Sequence, residues 1–264
     1  MKQILLMIGM VTLVGCGEPK ATPVGDRQPM PKDFKTLKTW AKKGDANAQN
    51  NLGLMYVKGQ GVEQDFKEAL WWWQKAADQG NAKAQSNLGV YYYTGQGGEQ
   101  DFKEAVKWCR KAADQGNAAA QAYLGVMYDK GQGVEQDFKE AVKWYQKSAE
   151  QGDAFAEDNL GVMYYLGQGV DRDFKEAVKW FQKSAEQGHA KAQYNLGFMY
   201  DKGQGVGQNY VVAYAWASIA ATNGNDIATK YKSVFLEPEM TPAQIAKAEE
   251  LVKEMIKKNP KLLK

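Results

Sequence analysis

Few side chains in this chain are of a kind that does covalent chemistry, and their surroundings decide against most of them. His189 is the only histidine, and the positions at 36-residue offsets from it hold Asp45, Asn81, Asn117 and Asp153. Those are residues that cap a backbone N–H at a helix start, so His189 reads as an imperfect cap. Cys109 could act as a thiol nucleophile only beside a base, and no histidine accompanies it. Glu157 and Asp158 are neighbours, which on a helix turns them about 100° apart and leaves them badly set to share a proton. Asp65, Asp101, Asp137 and Asp173 recur at regular spacing, but capping accounts for them. No cluster has metal-ligand spacing, and no glycine loop has the order of a phosphate cradle. The expectation is therefore no catalytic residue, no metal and no cofactor. What remains is ALWWWQKAADQG at residues 69–80, whose three adjacent indoles could stack on a ligand or simply fill a core.

The elements that carry these side chains decide between the two. Leu-Gly recurs at Leu52-Gly53, Leu88-Gly89, Leu124-Gly125, Leu160-Gly161 and Leu196-Gly197, a period of 36 with no insertion. Gly80 followed by Asn81 predicts a left-handed helix stop and then a new cap, opening a first helix, A. Gly95-Gln96-Gly97 ends it, and Asp101 with Glu104 three residues on has the capping-box layout that opens a second helix, B. Asp65 and Glu68, Asp137 and Glu140, and Asp173 and Glu176 repeat the signal. Each unit is a helical hairpin, and the five start at Gly44, Gly80, Gly116, Gly152 and Gly188.

Trp72 shares its column with Trp108, Trp144, Trp180 and Trp216. A ring in every repeat is a packing device: burying an indole is worth up to about 5 kcal/mol. That exceeds the roughly 1 kcal/mol by which a mid-helix glycine such as Gly53 weakens its helix. Trp73, in line with Cys109, Tyr145 and Phe181, is read as packing too. Trp71 lines up with Lys107, Lys143, Lys179 and Ala215, which predicts a partly exposed position and a possible contact.

The first sixteen residues hold one charge, Lys2, and an apolar run from Ile4 to Leu13, too short for the ~20 residues that span a bilayer but laid out like a secretory signal. Leu13-Val14-Gly15-Cys16 resembles the bacterial lipobox, which implies lipidation of Cys16, anchoring to a membrane and, with Gly17 next, sorting to the outer membrane with the folded part in the periplasm. Pro19, Pro23, Pro29 and Pro31 make residues 17–32 an extended tether. No proline lies between Asp33 and Glu237, as a helical body requires. Without Lys2 there are 33 basic and 31 acidic side chains, so nothing marks a nucleic-acid partner. With Cys16 lipidated, Cys109 is left without a disulfide partner.

The pattern running through AQNNLGLMYVKGQGVEQDFKEALWWWQKAADQG and its four in-phase successors resembles the Sel1-like repeat, a relative of the tetratricopeptide repeat. Gly98, where other units have valine, and Asn209, where others have the capping aspartate, are its small departures. The resemblance implies an all-α, right-handed solenoid of five 36-residue hairpins over residues 44–223. A cap helix over 33–43 and capping helices within 224–264, one opened by Thr241-Pro242-Ala243-Gln244, close its ends. It also implies that helix A lines a concave groove where partners dock. The columns that vary between repeats fall on one face of helix A. Lys83, Tyr93, Asp129, Phe155, Asp158, Tyr165, Lys191, Tyr194 and Asp201 are its candidate partner-binding residues, with Trp71 as an outlying one. The leading expectation is a non-enzymatic scaffold holding a protein or peptide of the bacterial envelope. A hydrolase of the cysteine-rich, β-lactam-directed branch and recognition of peptidoglycan or another polysaccharide are the alternatives. The paired cysteines of that branch are missing here.

Overall fold

The computed structural model describes residues 30–263; the signal-like segment, Cys16 and the tether up to residue 29 lie outside the described residues. Helix α1 (Phe34–Lys42) is followed by five hairpins. They are α2 (Ala46–Lys58) with α3 (Phe66–Asp78), α4 (Ala82–Thr94) with α5 (Phe102–Asp114), α6 (Ala118–Lys130) with α7 (Phe138–Ala149), α8 (Ala154–Leu166) with α9 (Phe174–Glu186), and α10 (Ala190–Lys202) with α11 (Tyr210–Thr222). A short α12 (Asp226–Tyr231), a π-helical turn over Lys232–Leu236 and the longer α13 (Pro242–Lys258) complete the chain, and no strand occurs among the described residues. None of the described helices is long and apolar enough to cross a membrane.

The punctuation works largely as the sequence indicates. Asn81 accepts from Ala84 N, and Gly95 closes α4 at φ 65°. Helix B differs in one respect. Asp101 accepts from the Lys103 and Glu104 amides, but Glu104 turns outward to Lys107 at 2.9 Å instead of completing a capping box. The reason is that the Asp101 amide is already used, donating to Tyr92 O at 2.9 Å. Asp65, Asp137 and Asp173 bond back to Tyr56, Tyr128 and Tyr164 in the same way. The reciprocal box forms at the start of α13 alone among the described helices, between Thr241 and Gln244.

Packing within a hairpin centres on the glycines. A Cβ on Gly125 would lie 2.5 Å from Tyr145 Cδ1, one on Gly161 2.7 Å from Phe181 Cδ1, and one on Gly53 2.5 Å from Trp73 Nε1. The rings pressed on glycine thus belong to the Trp73 column. The Trp72 column instead wedges between repeats. Trp144 packs among Ala105, Cys109 and Ala112 of the preceding hairpin and Leu124 and Met127 of its own. Trp216 does the same against Ala177, Phe181 and Ala185. Trp180 is only half-buried, its ring covered by Lys183 Nζ at 4.1 Å.

A second device joins the repeats. Gln85, buried in α4, donates to Ala77 O of the preceding hairpin at 3.1 Å and accepts from Gln115 at 2.7 Å. Gln49, Gln121 and Gln193 repeat the pair of bonds. At the amino end Ala41 of α1 supplies the carbonyl that a helix B supplies elsewhere, so α1 closes the array as a shortened helix B. At the other end α13 packs on α11, and Leu262 O accepts from both Gln193 and Asn223.

Candidate partner-binding wall

The A helices touch one another directly, α4 with α6 and α6 with α8, with no comparable contact between α5 and α7 or α7 and α9. Elements on the inside of a curved stack come closest together, so the A helices form its inner side. The residues that bridge them define the inner wall: Asn87 donates to Asn50 at 2.8 Å and Asn195 to Asp158 at 2.8 Å. Tyr93 meets Tyr123 with ring centroids 5.3 Å apart, and Tyr123 meets Phe155 at 6.4 Å.

The candidate residues take different places on this wall. Tyr93, Asp129, Phe155 and Tyr165 are half-buried, presenting part of each side chain to solvent along the middle of the array. Lys83 is exposed, and Lys191 reaches back one repeat to stand 3.9 Å from Asp158 Oδ2. Asp158 and Asp201 are buried rather than displayed. Asp158 is held by Asn195; Asp201 accepts a hydrogen bond from Tyr231 and pairs with Lys202 at 2.7 Å. Tyr194 lies 5.4 Å from the Tyr231 ring and Phe198 6.1 Å from it, so α12 covers the carboxyl-terminal end of the wall. Trp71 stands apart on helix B, 49% exposed, with Lys75 Nζ 4.4 Å over its ring.

Several residues that matter here are not among the candidates. Tyr123 breaks a column that otherwise holds Asn51, Asn87, Asn159 and Asn195, and that break was the available signal. Phe198 touches Tyr165 at 6.3 Å. Tyr145 was assigned to packing, as its ring confirms, but its hydroxyl is buried with no hydrogen-bond partner among the described residues.

Cys109 is not set up as a nucleophile. Burial pushes the Cys109 thiol up to about 12, so it is not a thiolate at neutral pH. His189 sits at the start of α10 without a capping bond from its side chain, its ring 6.5 Å from Phe155. No group of three metal-binding side chains occurs among the described residues. Burial raises the Glu157 carboxyl to about 7, against the opposing hydrogen bond from Gln187. It also holds Asp129 above the usual carboxylate range, with Lys130 and Lys191 pulling the other way.

Stacked two-helix units that reserve one face of every first helix for variable side chains define a class, the helical-hairpin solenoids, whose curvature creates extended binding surfaces. Within that class, five Sel1 repeats are recognised at residues 46–81, 82–117, 118–153, 154–189 and 190–225. The chain belongs to the Sel1 repeat family, whose members mediate protein–protein interaction. It is similar to the crystal structure of a Sel1 repeat protein from Oxalobacter formigenes, with 35% identity and TM-score 0.69 over 81% of this chain and 93% of that one. A protective antigen of uropathogenic Escherichia coli, described as displaying an SLR fold, is 34% identical at TM-score 0.56; the match covers 87% of this chain but 57% of the antigen. A Klebsiella pneumoniae protein with the same repeat, 23% identical over 76% of this chain and 98% of that one at TM-score 0.52, shares the fold. No curated protein matches the chain.

Proposed function

We propose that this protein is a scaffold of the bacterial envelope, anchored to a membrane by lipid on Cys16, which holds a protein or peptide partner against the inner wall of its A helices. One observation carries the reading: Tyr93, Tyr123 and Phe155 form a run of half-buried rings that crosses from α4 over α6 to α8, with Tyr165 half-buried further along α8. Aromatic side chains that present one face to solvent at low entropic cost are the residues that dominate protein interfaces.

Placing a photo-crosslinking amino acid at Tyr165 or Tyr194 in living cells tests this. Reproducible capture of a defined envelope protein is expected from Tyr165; Tyr194, partly covered by Tyr231, is expected to capture less. Recovery of nothing specific at either position would argue against groove binding. The anchor has its own test: Cys16→Ala is expected to abolish lipid labelling and to move the protein from the membrane to the soluble fraction.

A further inference from the structure

Charge is unevenly spread along the chain. Residues 32–43 hold five lysines, Lys32, Lys35, Lys38, Lys42 and Lys43, against Asp33 alone, whereas residues 44–264 hold 26 basic and 28 acidic side chains. Asp33 is occupied as the cap of α1, accepting from Thr36 N at 2.8 Å, and the next acid, Asp45, caps α2 through Ala48 N. Lys32, Lys35, Lys42 and Lys43 are exposed, and Lys38 is half-buried, reaching the Tyr56 hydroxyl at 3.5 Å. No ion pair among the described residues engages any of the five. Spacings of three and four put Lys35, Lys38 and Lys42 on one stripe of the helix, while Leu37 and Ala41 are buried where α1 packs on α2. The stripe departs from the pattern of the later B helices. Ala41 and Ala77 supply equivalent carbonyls to Gln49 and Gln85, and in that register Lys42 stands where α3, α5, α7 and α9 have Asp78, Asp114, Glu150 and Glu186. The helix dipole accounts for Lys42 and Lys43 at the carboxyl end of α1, but it opposes Lys32 and Lys35 at the amino end.

This basic helix is also the first described element after Cys16. At most about 50 Å of chain separates Cys16 from Met30, so a lipid on Cys16 keeps α1 near the headgroups. The potential of an anionic lipid surface fades within a Debye length, roughly 8 Å at physiological salt, and lysines far along the stack lie beyond it. A short leash turns each return of α1 to the surface into an intramolecular event, and an acyl chain with a basic patch holds a membrane better than the chain alone. Lys257, Lys258 and Lys261 make a second basic cluster, but at the opposite end of the array, where α13 also carries Glu249, Glu250 and Glu254. We propose that the lysine face of α1 seats the amino-terminal end of the solenoid on anionic phospholipid headgroups, so that the protein is held in one orientation instead of swinging on its tether. The inference rests on the reading of Cys16 as lipidated and adds an orientation that the anchor alone does not impose.

The test uses the mature lipoprotein, purified in detergent and reconstituted into vesicles. Cys109 is buried, so with Cys16 lipidated a Thr39→Cys exchange on exposed α1 surface supplies the one thiol that takes a nitroxide label. Collisions of that label with a neutral, water-borne nickel chelate are expected to be about threefold rarer in vesicles with about 30% phosphatidylglycerol than in phosphatidylcholine alone. Salt at about 0.5 M should erase the difference by screening. Lys35→Glu combined with Lys42→Glu, at two exposed positions, should erase it too while the circular dichroism of the protein stays unchanged. A label at exposed Thr229, in α12 at the far end, should show no dependence on lipid composition. Equal collision rates at Thr39 in both vesicles, protection that survives salt or the double exchange, or the same effect at Thr229 would each overturn the proposal. So would protection that follows protein density at fixed lipid composition, the mark of a second copy docking on α1. The two readings fail separately. Lipid on Cys16 with equal collision rates keeps the anchor and overturns the seating, and Cys16 found by mass to carry no lipid overturns both.

Discussion

Glu157 stands in the column where Gln49, Gln85, Gln121 and Gln193 join neighbouring repeats. It keeps half of their function, accepting from Gln187 at 2.7 Å, but as a carboxylate it has no hydrogen to give Ala149, the counterpart of Ala41, Ala77, Ala113 and Ala185. Its folded-state value of about 7 lies above the usual 4.5, so the folded protein holds this proton more tightly than the unfolded chain. Stability from the neutral form is fully present below about pH 4.5 and is lost as pH rises through about 7. Glu157→Gln is expected to raise stability by about 1–3 kcal/mol at pH 8 and to change it little at pH 5. Urea denaturation of both proteins at the two pH values measures this, and the same difference at both would refute the account.

In the first, third and fourth repeats a ring of helix B presses on a glycine of helix A. Substituting Gly161→Ala improves intrinsic helix propensity by about 1 kcal/mol, yet the new methyl would meet Phe181 at 2.7 Å, and overpacking typically costs about 1–3 kcal/mol. Net destabilisation is expected, and in a double-mutant cycle Phe181→Ala should relieve it; a higher melting temperature for Gly161→Ala alone would show the contact to be slack. The hairpins and the burial of four of the five recurrent indoles were legible from the 36-residue period, because similar local environments impose similar residue types; Trp180, only half-buried, is the exception. Which ring met which glycine was not: Trp72 and Trp73 are adjacent large side chains, and choosing between them needs the angle at which two helices cross. The inner wall was legible as a variable face. That Asp158 and Asp201 are buried on it was not, since their cover comes from Asn195 and Tyr231, 37 and 30 residues away.

For the molecule as a whole, a stack of repeats is limited by its ends. The amino end borrows the pattern of a repeat, with Leu37 and Ala41 of α1 buried. The carboxyl end is sealed differently, by a tail that returns to the junction of the last two repeats. Asn259 donates to Glu186 O at 2.8 Å, and Leu262 is buried among Ala185, Ala192 and Leu196. Removing residues 259–264 deletes one of the acceptors of Gln193 and of Asn223 together with a buried leucine. A loss of about 2–4 kcal/mol is expected, measured by the shift of the urea midpoint, with repeats 4 and 5 losing amide-exchange protection before the rest. Exchange that rises uniformly along the chain would instead mean that the tail holds no particular repeat.

The lid has a consequence for traffic along the wall. With Tyr231 plugging the trough beside Tyr194 and Phe198, a strand laid along it meets a dead end at the fifth hairpin. On the proposed reading, such a guest would either stop there with a free terminus or bend out sideways past Phe235, which protrudes at that corner.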